Sequence, residues 1–187
     1  HDGKKIYLTV PVIRTNFLNK KTYEIEINNN LPWKRKHIKS LELNYKNTKY
    51  FDKYFYEFKK IYEMDWKYLS DLNLYILKLI LKILNIQIEI IKLSSLNLGE
   101  KKSDLIISIC KSLGAKKFIF GEKGKDYAIV NDFKKNDIEL IFQEYRHPKY
   151  DQIGENFISH LSVVDLIFNC GNKSLDVINQ KLKIVNI

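Results

Sequence analysis

Between Ile86 and Phe142 short apolar runs alternate with amphipathic stretches, and this alternation restricts the architecture more than any other feature of the chain. Ile86 to Leu93, Lys117 to Phe120 and Ile138 to Phe142 each read as a strand. Between them, Leu105, Ile106, Ile109, Cys110 and Leu113 form a helical stripe that Gly114 is well placed to end, and Lys125 to about Lys135 reads as the next helix. Strands separated by helices pair in parallel through right-handed crossovers. The expected fold class is α/β: a doubly wound, mainly parallel sheet, with extra helices from the N-terminal third, in a single domain over residues 1–187. The chain shows no internal repeat and no linker.

The first third supplies the extra elements. Ile6 to Val12 reads as a strand, with Pro11 marking an edge or an end, and Lys21 to Asn30 as a second, alternating through Tyr23, Ile25 and Ile27. Pro32 and Trp33 open a helix whose inner side is Trp33, Ile38, Leu41 and Tyr45. Phe51, Tyr54, Phe55, Phe58, Ile61 and Tyr62 recur with a helical period, a stripe that reads as core. Ser70 or Asp71 can cap the following helix, which runs through about Leu84. The stretch from Ser162 onward reads as helical, with a break at Gly171.

Charge bears on the choice of partner. The 187 residues carry a formal net charge of +10, yet the basic residues are 29 lysines and only three arginines. Lysine, isoleucine and asparagine dominate while alanine occurs twice, a skew that suggests AT-rich coding DNA as much as selection for a polyanion. Nucleic-acid readers lean on arginine for bidentate contacts. Only Lys34-Arg35-Lys36-His37-Ile38-Lys39 is dense, so a basic, solvated surface is preferred over a nucleic-acid face. Two cysteines exclude a disulfide scaffold and a zinc ribbon, and the four histidines lack metal-ligand spacing, so no metal is expected. The apolar run from Leu74 to Leu84 is broken by Lys78 and Lys82 and is too short for a bilayer, so no membrane partner is expected. The chain opens on His1, so its start was either processed or is missing, and no signal peptide is visible.

In open parallel sheets ligands bind beyond the carboxyl ends of the strands. Three polar segments follow the three expected strands: Ser94 and Ser95 with Asn97, then Gly121 to Tyr127, then Gln143 to Gln152. Parallel strands would gather them along one rim. Gly121, Gly124 and Lys125 lie at a strand-to-helix turn, which suits phosphate or carboxylate, or is an ordinary tight turn. In Tyr145-Arg146-His147-Pro148, His147 is a candidate general acid or base, Arg146 a clamp for an anion, and Pro148 stiffens the loop; the alternative is a plain surface loop. Asp165 sits among apolar neighbours as a candidate catalytic carboxylate, or, at capping-box spacing from Ser162, bonds only its own helix start. His37 falls on or near the buried side of its helix, as a structural or a substrate-facing residue, and His160 belongs to the entry of the Ser162 helix. No serine elbow is present, so acyl-enzyme hydrolysis is not favoured.

Several stretches occur together in order: Leu8-Thr9-Val10-Pro11-Val12, Pro32-Trp33 with His37, Leu43-Asn44-Tyr45, Tyr50-Phe51, Leu69-Ser70-Asp71-Leu72-Asn73, Ser94-Ser95-Leu96 and Leu113-Gly114-Ala115. Gly121 with Tyr127, Tyr145-Arg146-His147-Pro148-Lys149-Tyr150, and Phe157-Ile158 followed by Leu161 to Gly171 complete the set. Across nearly its whole length the chain resembles the WbqC-like family. Members are encoded in bacterial O-antigen and other surface-polysaccharide gene clusters, so the resemblance implies a cytoplasmic role in making or modifying activated sugars. The expected ligand is a nucleotide-activated amino sugar or another phosphorylated small molecule, and the expected chemistry is acyl-group or similar transfer. His147 and Asp165 would then be catalytic, and Ser94, Ser95, Gly121, Gly124, Lys125, Tyr127, Tyr145, Arg146 and His37 substrate-binding. Rival readings are a non-catalytic sugar-nucleotide binding module and a basic nucleic-acid binder. The family pattern starts before His1, so the chain reads as N-terminally truncated, and Phe120 stands where relatives often carry serine.

Overall fold

A computed structural model describes residues 4–126, 130–180 and 182–186. They form two compact units, His1–Gln87 with Lys149–Val177 and Ile88–Pro148 with Ile178–Ile187.

The first unit is built on helices α1 (Trp33–Tyr45), α2 (Phe51–Glu63) and α3 (Leu69–Ile83). The aromatic stripe on α2 behaves as its period demands. Phe51, Tyr54, Phe58 and Ile61 are buried, and Phe55 and Tyr62 are half-buried beside them. Across from them lies Phe168, with no exposed surface, its ring centroid 5.0 Å from Tyr45, 5.6 Å from Phe51 and 5.3 Å from Phe58. Such tilted aromatic pairs add to plain area burial. Ser70 and Asp71 do not cap α3. The cap position is Tyr68, and the Leu69 amide donates to the Ile25 carbonyl at 2.9 Å, so a neighbouring backbone satisfies what a side chain was expected to satisfy.

The two N-terminal strands expected at Ile6–Val12 and Lys21–Asn30 reduce to single bridges, Val12 with Ile27 and Glu26 with Tyr68. Pro11 has no N–H to offer a ladder, and 3-10 turns at Phe17–Asn19 and Thr22–Glu24 bend the chain between them.

The second unit holds α4 (Lys102–Ser112), β1 (Lys117–Gly121), α5 (Val130–Lys134), β2 (Glu139–Tyr145) and β3 (Leu182–Asn186). Gly114 closes α4 at a φ of 63°, a left-handed position that suits glycine. β1 and β2 are parallel, with Gly121 opposite Gln143, as the sequence leads one to expect. The sheet is nevertheless smaller and more mixed than a doubly wound one. Among the described residues it has three strands in the order β1-β2-β3, and β3 runs antiparallel to β2. Ile86–Leu93 forms no strand; Ile88 is 63% and Leu93 48% exposed, and the neighbours of β2 are β1 and β3. The core gathers Ile107 and Cys110 of α4 with Phe120, Phe133, Ile138, Leu140 and Phe142. Of the expected helix over Lys125–Lys135 the described residues show the end of a 3-10 turn, Glu122–Asp126, and α5; residues 127–129 lie outside the described residues.

The first unit is completed by α6 (Val163–Cys170), where the Ser162 hydroxyl accepts from the Val164 amide. Gly171 ends α6 as expected, at a φ of 54°, and a Cβ there would stand 2.4 Å from the Tyr50 ring. The last helix, α7 (Ser174–Asn179), follows, and its final residues pass into the second unit. Among the described residues no helix is long and apolar enough to cross a membrane.

Candidate functional site

The first unit encloses a cavity of about 1220 Å³. Its walls come from α1, α2 and α3, the N-terminal segment, and the loop and first turn around α6. Two sequence-derived candidates meet in it, His37 and Asp165, which are 5% and 4% exposed.

His37 packs edge-on against Trp33 (5.3 Å between centroids) and Tyr62 (5.6 Å), and its Nε2–H donates to the Thr9 carbonyl at 3.2 Å. Burial lowers its pKa from the ordinary 6.5, and the bond to Thr9 offsets this only in part. Burial likewise pushes Tyr62 up to about 12. Because the folded His37 binds its proton less readily than the unfolded one, stability is complete above pH 6.5 and falls as the pH drops from there towards the folded pKa. Urea midpoints measured from neutral to mildly acid pH should show this decline, and His37→Gln should flatten it. A parent and variant with the same slope would contradict it.

The Asp165 side chain does not cap its own helix and has partners distant in sequence. Its Oδ2 accepts from the Tyr150 hydroxyl at 2.8 Å and from Gln152 Nε2 at 2.9 Å, while Ser162 alone caps the helix. Gln152 is itself fixed, since its Oε1 accepts from the Ile158 amide and its Nε2 donates to the Ile158 carbonyl. Tyr45 lies close enough that burial first, and then the Asp165 charge, hold its hydroxyl protonated; Tyr150 is raised in the same way. The cavity wall is therefore an ionisable carboxylate braced by neutral donors, with Trp33, Tyr45 and Tyr62 as apolar surface and Lys4 and Lys5 also lining it. His160 lines the same space at a φ of 60°, strain of about 1 kcal/mol that bends the chain into α6.

The other candidates lie in the second unit. The parallel register brings Gly121 and the Tyr145–His147 segment to the same end of β1 and β2. Tyr145 and Arg146 are exposed there, and His147 is half-buried. Ser94 and Ser95 do not join them through a strand. They form part of a 3-10 turn, Leu93–Ser95, in which the Ser95 hydroxyl donates to the Lys92 carbonyl. Glu122–Asp126, which contains Gly124 and Lys125, is a 3-10 turn of five residues, which weakens the helix-dipole argument for an anion there. Gly124 has a packing reason instead: a Cβ would stand 2.5 Å from the Phe120 side chain. Tyr127 lies outside the described residues, and of Lys125 only the backbone is described. Neither the cavity nor a shallow 410 Å³ cleft between α4 and α5 is lined by Ser94, Gly121 or His147.

The dense basic run does not form one charged face. Lys34 pairs with Asp65 at 3.2 Å, His37 points inward and Ile38 is half-buried.

A model of the WbqC-like protein family matches residues 1–177. The chain belongs to the WbqC-like family. A relative of this WbqC-like protein is the uncharacterized protein Rv1507c of Mycobacterium tuberculosis, 26% identical over 172 residues, which cover 91% of this chain and 74% of that protein. No solved structure matches. The family stretches contain Tyr45, Tyr150 and Asp165, but nothing in their spacing joins them. Tyr150 and Gln152, two residues apart in an extended segment, are the one sign that both could reach one acceptor.

Proposed function

We propose that this WbqC-like protein binds a nucleotide-activated amino sugar in the first unit's cavity, as a step in cytoplasmic O-antigen or surface-polysaccharide synthesis, and transfers an acyl or similar group to it. One observation carries the reading: a cavity of about 1220 Å³ whose wall holds the buried pair His37 and Asp165. That volume admits a ligand larger than a simple sugar. Its aromatic walls suit a base or a sugar face, the carboxylate suits sugar hydroxyl or amino groups, and Lys4 and Lys5 suit phosphates.

A second reading, a binding module without catalysis, draws support from the depth of His37 and Asp165. Groups so buried, one already bonded to Thr9, suit holding a ligand more than exchanging protons. Calorimetric titration with UDP- and dTDP-linked hexosamines tests both. Binding should occur and should weaken more than tenfold in Ser40→Trp, which fills the cavity from α1. Absence of binding by any sugar nucleotide would remove the reading. Where binding is present, turnover with an acyl donor separates enzyme from module.

A further inference from the structure

The ionisable group at the floor of the cavity has an uneven set of partners. Asp165 is 4% exposed and takes hydrogen bonds from a phenol and a carboxamide. The ion pairs found among the described residues, Lys20–Glu26, Lys34–Asp65, Lys59–Glu63, Lys60–Glu57 and Lys117–Glu139, do not include it. Among the described residues no group of three or more His, Cys, Asp or Glu side chains could hold a metal ion beside it. Among the described residues the partners of this buried carboxylate are neutral donors, which is unusual in a chain with 29 lysines. Neutral donors stabilise the charge without cancelling it, so the field of Asp165 extends into the adjoining space.

The rest of that wall has the same preference. Trp33, Tyr45 and Tyr62 line the cavity, and aromatic faces attract cations. His37 is kept neutral by burial and does not compete for the carboxylate. We propose that the Asp165 carboxylate and the Tyr45 ring beside it form a subsite for a protonated primary amine of the ligand. It rests on the sugar-nucleotide reading above and narrows it: the ligand enters with its amino group free, and the N-acylated form is disfavoured. An acylated nitrogen carries no charge to meet the carboxylate and brings bulk into the subsite.

Calorimetry on the whole protein, below the pKa of the amine, with four probes decides this: glucosamine, N-acetylglucosamine, and the UDP conjugate of each. UDP-glucosamine should bind at least about tenfold more tightly than UDP-N-acetylglucosamine, equivalent to about 1.4 kcal/mol. Asp165→Asn, which keeps an acceptor for Tyr150 and Gln152, should abolish the difference. Equal binding of the two conjugates by the parent protein overturns the amine subsite while leaving the sugar-nucleotide reading intact. Binding of glucosamine in preference to N-acetylglucosamine, with no gain from UDP, keeps the subsite and removes the nucleotide. No binding of any probe overturns both. The parent protein alone distinguishes these outcomes, whether or not the variant folds.

Discussion

Phe168→Ala should cost the first unit about 4 kcal/mol. The ring has no exposed surface and lies within 5.6 Å of three other aromatic rings, on α1 and α2. Truncation forfeits the transfer energy of the ring, leaves a void that rigid aromatic neighbours cannot close, and loses aromatic pairs worth about 0.5–1.5 kcal/mol apiece. The backbone adds to the cost, because the Phe168 carbonyl accepts from the Tyr50 amide at 3.1 Å and the anchored ring keeps that contact in register. The measurement is simple to assign. Both tryptophans, Trp33 and Trp66, belong to the first unit, so fluorescence-detected urea unfolding reports on it alone. A midpoint change equivalent to less than about 1 kcal/mol would mean that Phe168 does not organise this core.

Asp165→Ala should cost about 3 kcal/mol by the same assay. Hydrogen bonds to a charged acceptor contribute about 1.5–3 kcal/mol, and the deletion strands two buried donors, the Tyr150 hydroxyl and Gln152 Nε2. The two losses overlap, since water from the adjoining cavity can reach the vacated position. Asp165→Asn should cost about half as much, because the amide oxygen still accepts from both. If alanine and asparagine destabilise equally, the loss comes from the missing charge and not from unsatisfied donors. A near-neutral alanine variant would show that the loop from Tyr150 to Ile158 is held by other contacts.

Elements governed by a local period are legible in the amino-acid order alone. The α2 stripe, the inward side of α1, the glycine stops at Gly114 and Gly171, and the parallel pairing of β1 with β2 all follow from spacing. Elements decided by competition are not. Ile86–Leu93 is as apolar as a strand, but the place beside β2 goes to Leu182–Asn186, whose own alternation of Leu182, Lys183 and Ile184 is hidden inside a stretch that reads as helix. The expected cap of α3 fails for the same reason, a backbone from elsewhere reaching the amide first. Residue types suffice to pick out Asp165 and His37 as candidates, and both line the cavity. That they share a cavity, and that His147 belongs to the other unit, depends on the tertiary path.

The interleaving of the units has a consequence for synthesis on the ribosome. β2 receives its second neighbour only from residues 182–186, after the segment 149–177 that completes the other unit has been made. Until then one side of β2 is an unsatisfied edge in the nascent chain, open to foreign strands. Residues 182–186 thus act as a closing latch on β2.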